Sequence, residues 1–358
     1  MHVGVSVVFQ NPTGRRSDHD VYRDELHLAD LAEPLGFESI WGVEHHFTGY
    51  TMSPNVLQFL TYMAGRTTIQ LGSMVLVLPW HDPVRVAEEA AFLDNVSDGR
   101  LILGIGRGLG RVEFDGFRID MNESRERFVE SAQVVLNGLE NGYVEADGEF
   151  YKIPRRNLRP APFKTFKGRT YAAAVSPESA QIMARLGIGM LIIPQKPWEN
   201  LAEDLASYRE IYREVNNEEP PPPLVAGWTY CDEDEGRARD VGHRYIRGYY
   251  DTVLDHYDLA GDHLGKTNGY EYYGKMSRVL NTHGDAARDF FAELQVYGTP
   301  DQCIEKIMDI RERVACETFI AVFRYADMPV EESERSMRLF AEKVMPRLQA
   351  VGAPVSVA

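Results

Sequence analysis

Two adjacent histidines and a carboxylate follow a short apolar segment near the N-terminus. Glu44, His45 and His46 come directly after residues 39–43, which read SIWGV. A strand of a parallel sheet is buried on both faces, so polar residues gather where the chain leaves the core. Histidine, with an ordinary pKa of about 6.5, is the side chain most easily tuned to move a proton at neutral pH. Successive strand residues point to opposite faces, so we predict that one histidine faces a pocket. The alternative is a pair of structural histidines.

A glycine-rich segment with one arginine follows another apolar run. Gly104, Gly106, Gly108 and Gly110 surround Arg107. The acidic residue of a dinucleotide-binding fingerprint does not follow at its usual spacing. Glycines let a backbone approach a planar ligand, and an arginine binds phosphate. The segment therefore predicts a cofactor-binding loop, although a flexible loop with a solvated arginine fits the same pattern.

Ser176 precedes a predicted helix that begins with Pro177 and carries Ser179 in its first turn. The N-terminus of a helix binds phosphate through free backbone N–H groups and the helix dipole. Taken alone, Ser176 indicates only an N-cap. Together with Arg107, it predicts a phosphate site.

Eight apolar segments alternate with helical patterns along the chain. The predicted strands are residues 3–9, 39–43, 69–78, 101–104, 170–174, 190–193, 224–230 and 319–323. A closed (β/α)8 TIM barrel fits this number better than an open doubly wound sheet. We predict one such domain over residues 1–358, with insertions at about 143–167 and 258–289. Active sites of these barrels lie at the C-terminal ends of the strands, where the three motifs above fall.

The second insertion interleaves glycines with aromatic and basic residues. It contains Tyr270, Tyr272, Tyr273 and Lys275. Glycine permits movement and tyrosine supplies apolar cover, so we predict a mobile lid whose side chains meet the substrate. A disordered surface insertion is the alternative.

Composition argues against several classes of function. The chain has 38 Lys and Arg against 54 Asp and Glu, a net charge of −16 that opposes binding to nucleic acid or to an anionic membrane. The three cysteines are far apart, and no apolar run approaches about 20 residues. We therefore expect a cytoplasmic protein without disulfides. A metal site on His45 and His46 is disfavoured because their side chains diverge.

Ordered motifs over nearly the whole chain resemble the bacterial luciferase family of flavin-dependent monooxygenases, especially its alpha subunit. The motifs are residues 44–48 (EHHFT), 65–67 (GRT), 81–85 (HDPVR), 97–100 (SDGR), 107–109 (RGL), 120–121 (DM), 123–125 (ESR) and 298–305 (GTPDQCIE).

The resemblance implies a (β/α)8 barrel that binds reduced FMN and O2, with a flavin peroxide as the oxidant. The family's catalytic histidine falls on His45. Its cofactor-binding positions fall on Met74, Val75, Gly106, Arg107, Leu109, Val175, Ser176 and Ser179. A non-prolyl cis peptide is implied near Met74, and the family's mobile lid falls on the second insertion.

Three departures from the family pattern separate this chain from the luciferases. Glu113 stands where the family has a catalytically important aspartate, Gly106 replaces a cysteine, and Val175 replaces a glutamate. The oxygenation chemistry is expected to carry over to this chain, with His45 and Glu113 as its catalytic residues. Luminescence and a preference for aldehydes are not expected to carry over.

We interpret the chain as a two-component monooxygenase that takes FMNH2 from a separate flavin reductase and oxygenates a small molecule such as an aldehyde or ketone. The resemblance also implies a homodimer. A deazaflavin-dependent oxidoreductase on the same barrel and a non-catalytic flavin-binding subunit are alternatives. The sequence leaves the substrate open.

Overall fold

The computed structural model describes residues 1–173 and 177–352, except for the side chains of Pro177 and residues 275–283. Its strands are β1 (His2–Val7), β2 (Ser39–Gly42), β3 (Gln70–Ser73), β4 (Leu76–Val77), β5 (Leu101–Gly106), β6 (Tyr143–Asp147), β7 (Lys152–Asn157), β8 (Thr170–Ala173), β9 (Gly189–Ile192), β10 (Leu224–Cys231), β11 (Val296–Gly298) and β12 (Thr318–Val322).

Helices follow most of the strands. They are α1 (Asp18–Leu31), α2 (Val56–Ala64), α3 (Pro83–Val96), α4 (Arg111–Phe117), α5 (Ser124–Asn141), α6 (Pro177–Arg185), α7 (Trp198–Asn216), α8 (Glu235–His256), α9 (Glu271–Glu293), α10 (Pro300–Val314), α11 (Val330–Lys343) and α12 (Met345–Gln349). None of the helices in the described part of the chain combines the length and apolar character needed to span a membrane.

Eight parallel strands close into a barrel. Their order is β1, β2, β3, β5, β8, β9, β10 and β12, and β12 pairs with β1 to complete the ring. Each strand of this ring is followed by at least one helix before the next begins. The predicted (β/α)8 TIM barrel is therefore confirmed.

Trp41 fills part of the barrel interior. Its side chain is fully buried, and glycines flank it on both neighbouring strands. A Cβ atom at Gly72 on β3 would lie 2.1 Å from the Trp41 ring, and one at Gly4 on β1 would lie 2.8 Å from its indole nitrogen. Only glycine fits beside the ring at these positions, since protein interiors are close-packed. This packing fixes β2, the strand that leads to Glu44, His45 and His46.

Some predicted boundaries were wrong. The predicted strand at residues 69–78 is divided into β3 and β4, and the peptide bond between Met74 and Val75 is cis, as the resemblance implied. Helix α4 begins directly after Gly110, although no helix was predicted there. With seven residues, α4 is too short to give a clear helical period.

Much of the predicted lid is helical. The segment contains a short 3-10 turn at Leu264–Lys266 and then α9, which buries Phe291 and Ala292. Glycine inside a helix costs only about 1 kcal/mol, and such packing outweighs it. Strand β11 beside β10 was also missed, because three residues carry no readable alternation. In the first predicted insertion, β6 and β7 form an antiparallel hairpin.

Candidate active site

One large cavity lies at the C-terminal ends of the barrel strands. Its volume is about 1690 Å³, counting the open space at its mouth. The predicted site residues that line it are His45, Met74, Val75, Gly106, Arg107, Leu109, Ser179 and Tyr273. Residues far apart in the sequence are thus brought to one cavity. Val175, Ser176 and the side chain of Lys275 lie outside the described residues.

Glu113 holds His45 from behind the cavity wall. Nδ1 of His45 lies 3.0 Å from Oε1 of Glu113, and the same oxygen accepts a hydrogen bond of 2.9 Å from the backbone N–H of His46. The Glu113 side chain is fully buried, whereas 17% of the His45 side chain remains accessible. Glu113 therefore orients the imidazole and does not itself line the cavity.

The Glu113 carboxyl is ionised at neutral pH. Burial raises the pKa of a carboxyl, but the electrostatic interaction with His45 and the contacts of Glu113 with His256 and His45 outweigh burial and lower the pKa of Glu113 to about 2. An ionised carboxylate only accepts hydrogen bonds, so Nδ1 of His45 carries a proton toward it. His45 then has Nε2 available to accept a proton.

A glycine makes room for this carboxylate. Gly110 is the N-cap of α4, and a Cβ atom there would lie 2.4 Å from Oε2 of Glu113. Glu113 lies in the first turn of the helix, where the helix dipole also favours a negative charge. Gly110, the last glycine of the glycine-rich segment, therefore leaves the space that the Glu113 carboxylate occupies.

Glu44 binds two other histidines. Its Oε1 lies 3.1 Å from Nε2 of His46 and 2.6 Å from Nε2 of His81, and its Oε2 accepts a hydrogen bond of 3.0 Å from the backbone N–H of Val77. Burial raises the pKa of Glu44, but the bonds from the two histidines outweigh burial and lower it. His46 thus faces away from the partner of His45, as the alternation predicted.

Two arginines approach the cavity without an acidic partner. Arg107 and Arg125 both line it, and both donate to the carbonyl oxygen of Gly269, at 2.8 Å and 3.2 Å. Among the described residues, neither guanidinium has a carboxylate within ion-pair distance. Sequence reasoning missed Arg125, which lies in the first turn of α5. The sequence does not show which way its side chain points, because this depends on where α5 packs against the barrel. Two such cations form a site for an anion.

The predicted lid tyrosines have different surroundings. Tyr270 is fully buried, donates a hydrogen bond of 2.8 Å to the carbonyl of Gly108, and lies under the Arg107 guanidinium at 3.9 Å. Tyr273 lines the cavity. Tyr272 packs edge to face against Tyr273 and is not part of the cavity lining.

His256 adds a third polar group to the His45 and Glu113 pair. Its Nε2 lies 3.3 Å from Oε2 of Glu113, and the possible ligand atoms of the three residues lie within 4.8 Å of one another, close enough for a metal ion. Imidazole-to-carboxylate contacts account for these distances directly. We therefore describe a cluster of imidazole-to-carboxylate contacts, and the prediction that the chain has no metal site stays a prediction.

The comparisons with known proteins identify the family. A family model described as luciferase-like monooxygenase matches residues 1–317. The chain belongs to the luciferase-like monooxygenase family. This family is flavin-dependent, so the protein is an enzyme, an oxidoreductase.

Relatives of this luciferase-like monooxygenase match it over almost their full length. The alkanal monooxygenase alpha chain of Photorhabdus luminescens is 29% identical over 343 residues, covering 93% of this chain and 94% of the relative. An uncharacterized protein, y4vJ of Sinorhizobium fredii, is 34% identical over 341 residues and 93% of each chain.

Solved structures share the fold. The monooxygenase RslO1 from Streptomyces bottropensis is 28% identical, with a TM-score of 0.82 over 97% of this chain and 99% of that chain. A type II Baeyer-Villiger monooxygenase of Pseudomonas putida, solved with FMN, is 18% identical, with a TM-score of 0.72 over 97% and 98%. An F420-dependent secondary alcohol dehydrogenase is 16% identical, with a TM-score of 0.71 over the same shares. The last two likenesses bear on the fold alone.

Proposed function

We propose that this luciferase-like monooxygenase uses reduced FMN, supplied by a separate flavin reductase, and O2 to oxygenate a small organic substrate such as an aldehyde or ketone. The observation that carries the proposal is that one cavity is lined both by the Glu113-bound His45 and by two arginines without acidic partners. A proton carrier and an anion site in one cavity suit a cofactor with a phosphate and a reactive ring. We also propose that residues 1–358 form one barrel domain and that the enzyme acts as a homodimer.

The cavity residues fit FMN. Arg107 and Arg125 supply two cations for its phosphate, and Ser179 lines the same cavity. Ser176 and Val175 are proposed beside the phosphate from the family pattern. The backbone at Met74 and Val75, with Gly106 and Leu109, supplies an apolar wall for a planar ring.

When bound, reduced FMN would supply the electrons that activate O2. His45 would accept or return a proton through Nε2, because Glu113 holds Nδ1 and stabilises the protonated ring. The lid residues Tyr270 and Tyr273, with Tyr272 and Lys275 on the same segment, would cover the bound molecules and exclude water.

The cofactor assignment is tested by anaerobic titration with reduced FMN and with reduced F420. We expect FMN to bind and Arg125→Ala to weaken it about 10- to 100-fold, the worth of a charged hydrogen bond of roughly 1.5–3 kcal/mol. Arg107→Ala should have a similar effect. Arg118→Ala, an exposed arginine at the C-terminal end of α4, is the matched control. Equal affinity in all three variants would refute the phosphate assignment, and selective binding of F420 would indicate the deazaflavin oxidoreductase.

The catalytic assignment is tested by O2 uptake and by mass spectrometry of products from a panel of aldehydes and ketones. A positioned acid-base group contributes about 10²- to 10⁴-fold, so His45→Ala should reduce turnover on that scale while FMN affinity is retained. An unchanged rate would remove His45 from the reaction. FMN binding without turnover of any substrate would point to the non-catalytic subunit.

A further inference from the structure

The hydroxyl of Tyr257 lies beside His45 in the cavity wall. Tyr257 directly follows the last residue of α8 and lines the cavity. Its oxygen lies 3.3 Å from Nε2 of His45, and the two rings meet edge to face with centroids 5.9 Å apart. Glu113 engages the other ring nitrogen of His45. A phenol therefore occupies the nitrogen that Glu113 leaves available.

The partners of His45 decide which way each hydrogen bond runs. Glu113 is an ionised acceptor, so Nδ1 of neutral His45 carries the proton and Nε2 is an acceptor. The Tyr257 hydroxyl then donates to Nε2. Burial raises the pKa of Tyr257 well above its usual value, so this hydroxyl keeps its proton at neutral pH.

Neighbouring side chains hold this arrangement in place. The ring of Tyr50 packs edge to face against those of His45 and Tyr257, and it stacks on the ring of His256 at 4.5 Å. Nδ1 of His256 lies 2.8 Å from the Thr48 hydroxyl, which aims its Nε2 at the second oxygen of Glu113. Neither that nitrogen nor that oxygen forms a hydrogen bond among the described residues, so the two meet as a close contact of 3.3 Å. His256 is therefore a neighbour that packs against Glu113 on the side away from His45.

We propose that Tyr257 is a catalytic residue that relays a proton between a group bound in the cavity and His45. This inference rests on the proposed function, in which His45 moves a proton. A proton leaving the bound group binds the Tyr257 oxygen while the proton of the Tyr257 hydroxyl passes to Nε2 of His45. The imidazolium that forms is stabilised by Glu113. The reverse transfer restores the hydroxyl and the neutral imidazole.

The contact is tested by nitrogen NMR of cofactor-free protein carrying ¹⁵N-histidine, with His45 assigned from a His45→Gln spectrum. Neutral His45 should carry its proton on Nδ1. Tyr257→Phe should shift the Nε2 resonance, because that nitrogen loses its donor. Tyr245→Phe, on α8 but outside the cavity lining, should leave it unchanged. A wild-type His45 protonated on Nε2 would overturn the proposal even if Tyr257→Phe failed to fold.

Turnover tests the relay itself. Tyr257→Phe should lower kcat about 100-fold and leave the Kd for reduced FMN unchanged, whereas Tyr245→Phe should match the wild type. A wild-type kcat in Tyr257→Phe would overturn the proposal. Activity should also survive EDTA, and a loss that zinc reverses would assign His45, Glu113 and His256 to a metal and overturn the relay. The NMR measurement uses no cofactor, so a failure of the proposed function is distinguishable from a failure of this inference.

Discussion

Two buried carboxylates contact four histidines between them. Glu113 binds His45 and lies against His256, and Glu44 binds His46 and His81. A charge removed from water is costly unless it is paired and hydrogen-bonded, and both carboxylates meet that condition. The two adjacent histidines of the sequence therefore have separate surroundings: His45 lines the cavity, and His46 packs against the rings of Trp80 and Phe117.

Replacing Glu44 by glutamine should lower stability in a pH-dependent way. The pKa of Glu44 is lowered in the folded protein, so its contribution is present above its unfolded pKa and is lost as the pH falls. Burial lowers the pKa of His81, but its hydrogen bond to Glu44 outweighs burial and raises it. The His81 contribution is therefore complete below its unfolded pKa and is lost as the pH rises. Both contributions overlap between these limits, at about pH 5–6.

Denaturant unfolding of the wild type and Glu44→Gln at pH 5.5 and pH 8 measures this difference. We expect a loss of about 1–3 kcal/mol at pH 5.5, the cost of disturbing a buried charged hydrogen bond, and a smaller loss at pH 8. Glu88→Gln removes a carboxylate from an exposed ion pair with Arg85 and serves as the control. A larger loss at pH 8 than at pH 5.5 would contradict the pairing of Glu44 with His81.

At the scale of elements, the loop after β5 is joined to the start of the lid segment. Gly269 accepts hydrogen bonds from Arg107 and Arg125, and Tyr270 donates to Gly108. The arginines proposed to bind phosphate are thus also those that hold the lid segment. Each guanidinium has five N–H donors, so the same two arginines would hold a bound phosphate and the Gly269 carbonyl together.

Tyr270→Phe should loosen the lid segment locally. The variant removes the hydrogen bond to Gly108, worth about 0.5–1.5 kcal/mol, and keeps the ring under Arg107. Hydrogen exchange should become faster around residues 264–273, while the melting temperature of the whole protein changes little. Tyr272→Phe is the matched control, because among the described residues the hydrogen bond to Gly108 and the ring contact with Arg107 belong to Tyr270. Equal exchange rates in the two variants would show that the Tyr270 hydroxyl does not hold the segment.

At the scale of the whole molecule, the sequence predicted the repeated alternation of strands and helices. It missed contacts between residues that are far apart in the sequence. The eight barrel strands are apolar runs, and the Asp82-Pro83 start of α3 has its own local signal: Asp82 caps the helix and Pro83 stands at its first position. Arg125 lies in α5, and the sequence pattern of this helix does not show which of its residues line the cavity. Tyr257 and His45 are 212 residues apart in the sequence, and only the folded barrel brings them into contact.

One buried ion pair links the segments that follow the first and last strands of the barrel. Arg324, just beyond β12, donates to Glu25 on α1 at 2.7 Å, and the backbone N–H of Val8, just beyond β1, donates to the other oxygen of Glu25 at 3.3 Å. Both side chains are buried. The residues are 299 positions apart, so no local pattern could reveal the pair.

Arg324→Met should destabilise the fold, because it leaves the Glu25 carboxylate buried without its partner. The expected loss is about 3–5 kcal/mol in denaturant unfolding, and Glu25→Gln combined with Arg324→Met should recover part of it. Burial already raises the pKa of Glu25 despite the opposing effect of Arg324. Without Arg324 that pKa rises further, so the folded variant gains from protonation at low pH and loses more stability as the pH rises. Two outcomes would contradict a stabilising pair of Arg324 and Glu25. One is that Arg324→Met loses as much stability at pH 5 as at pH 8. The other is that the double variant is no more stable than Arg324→Met.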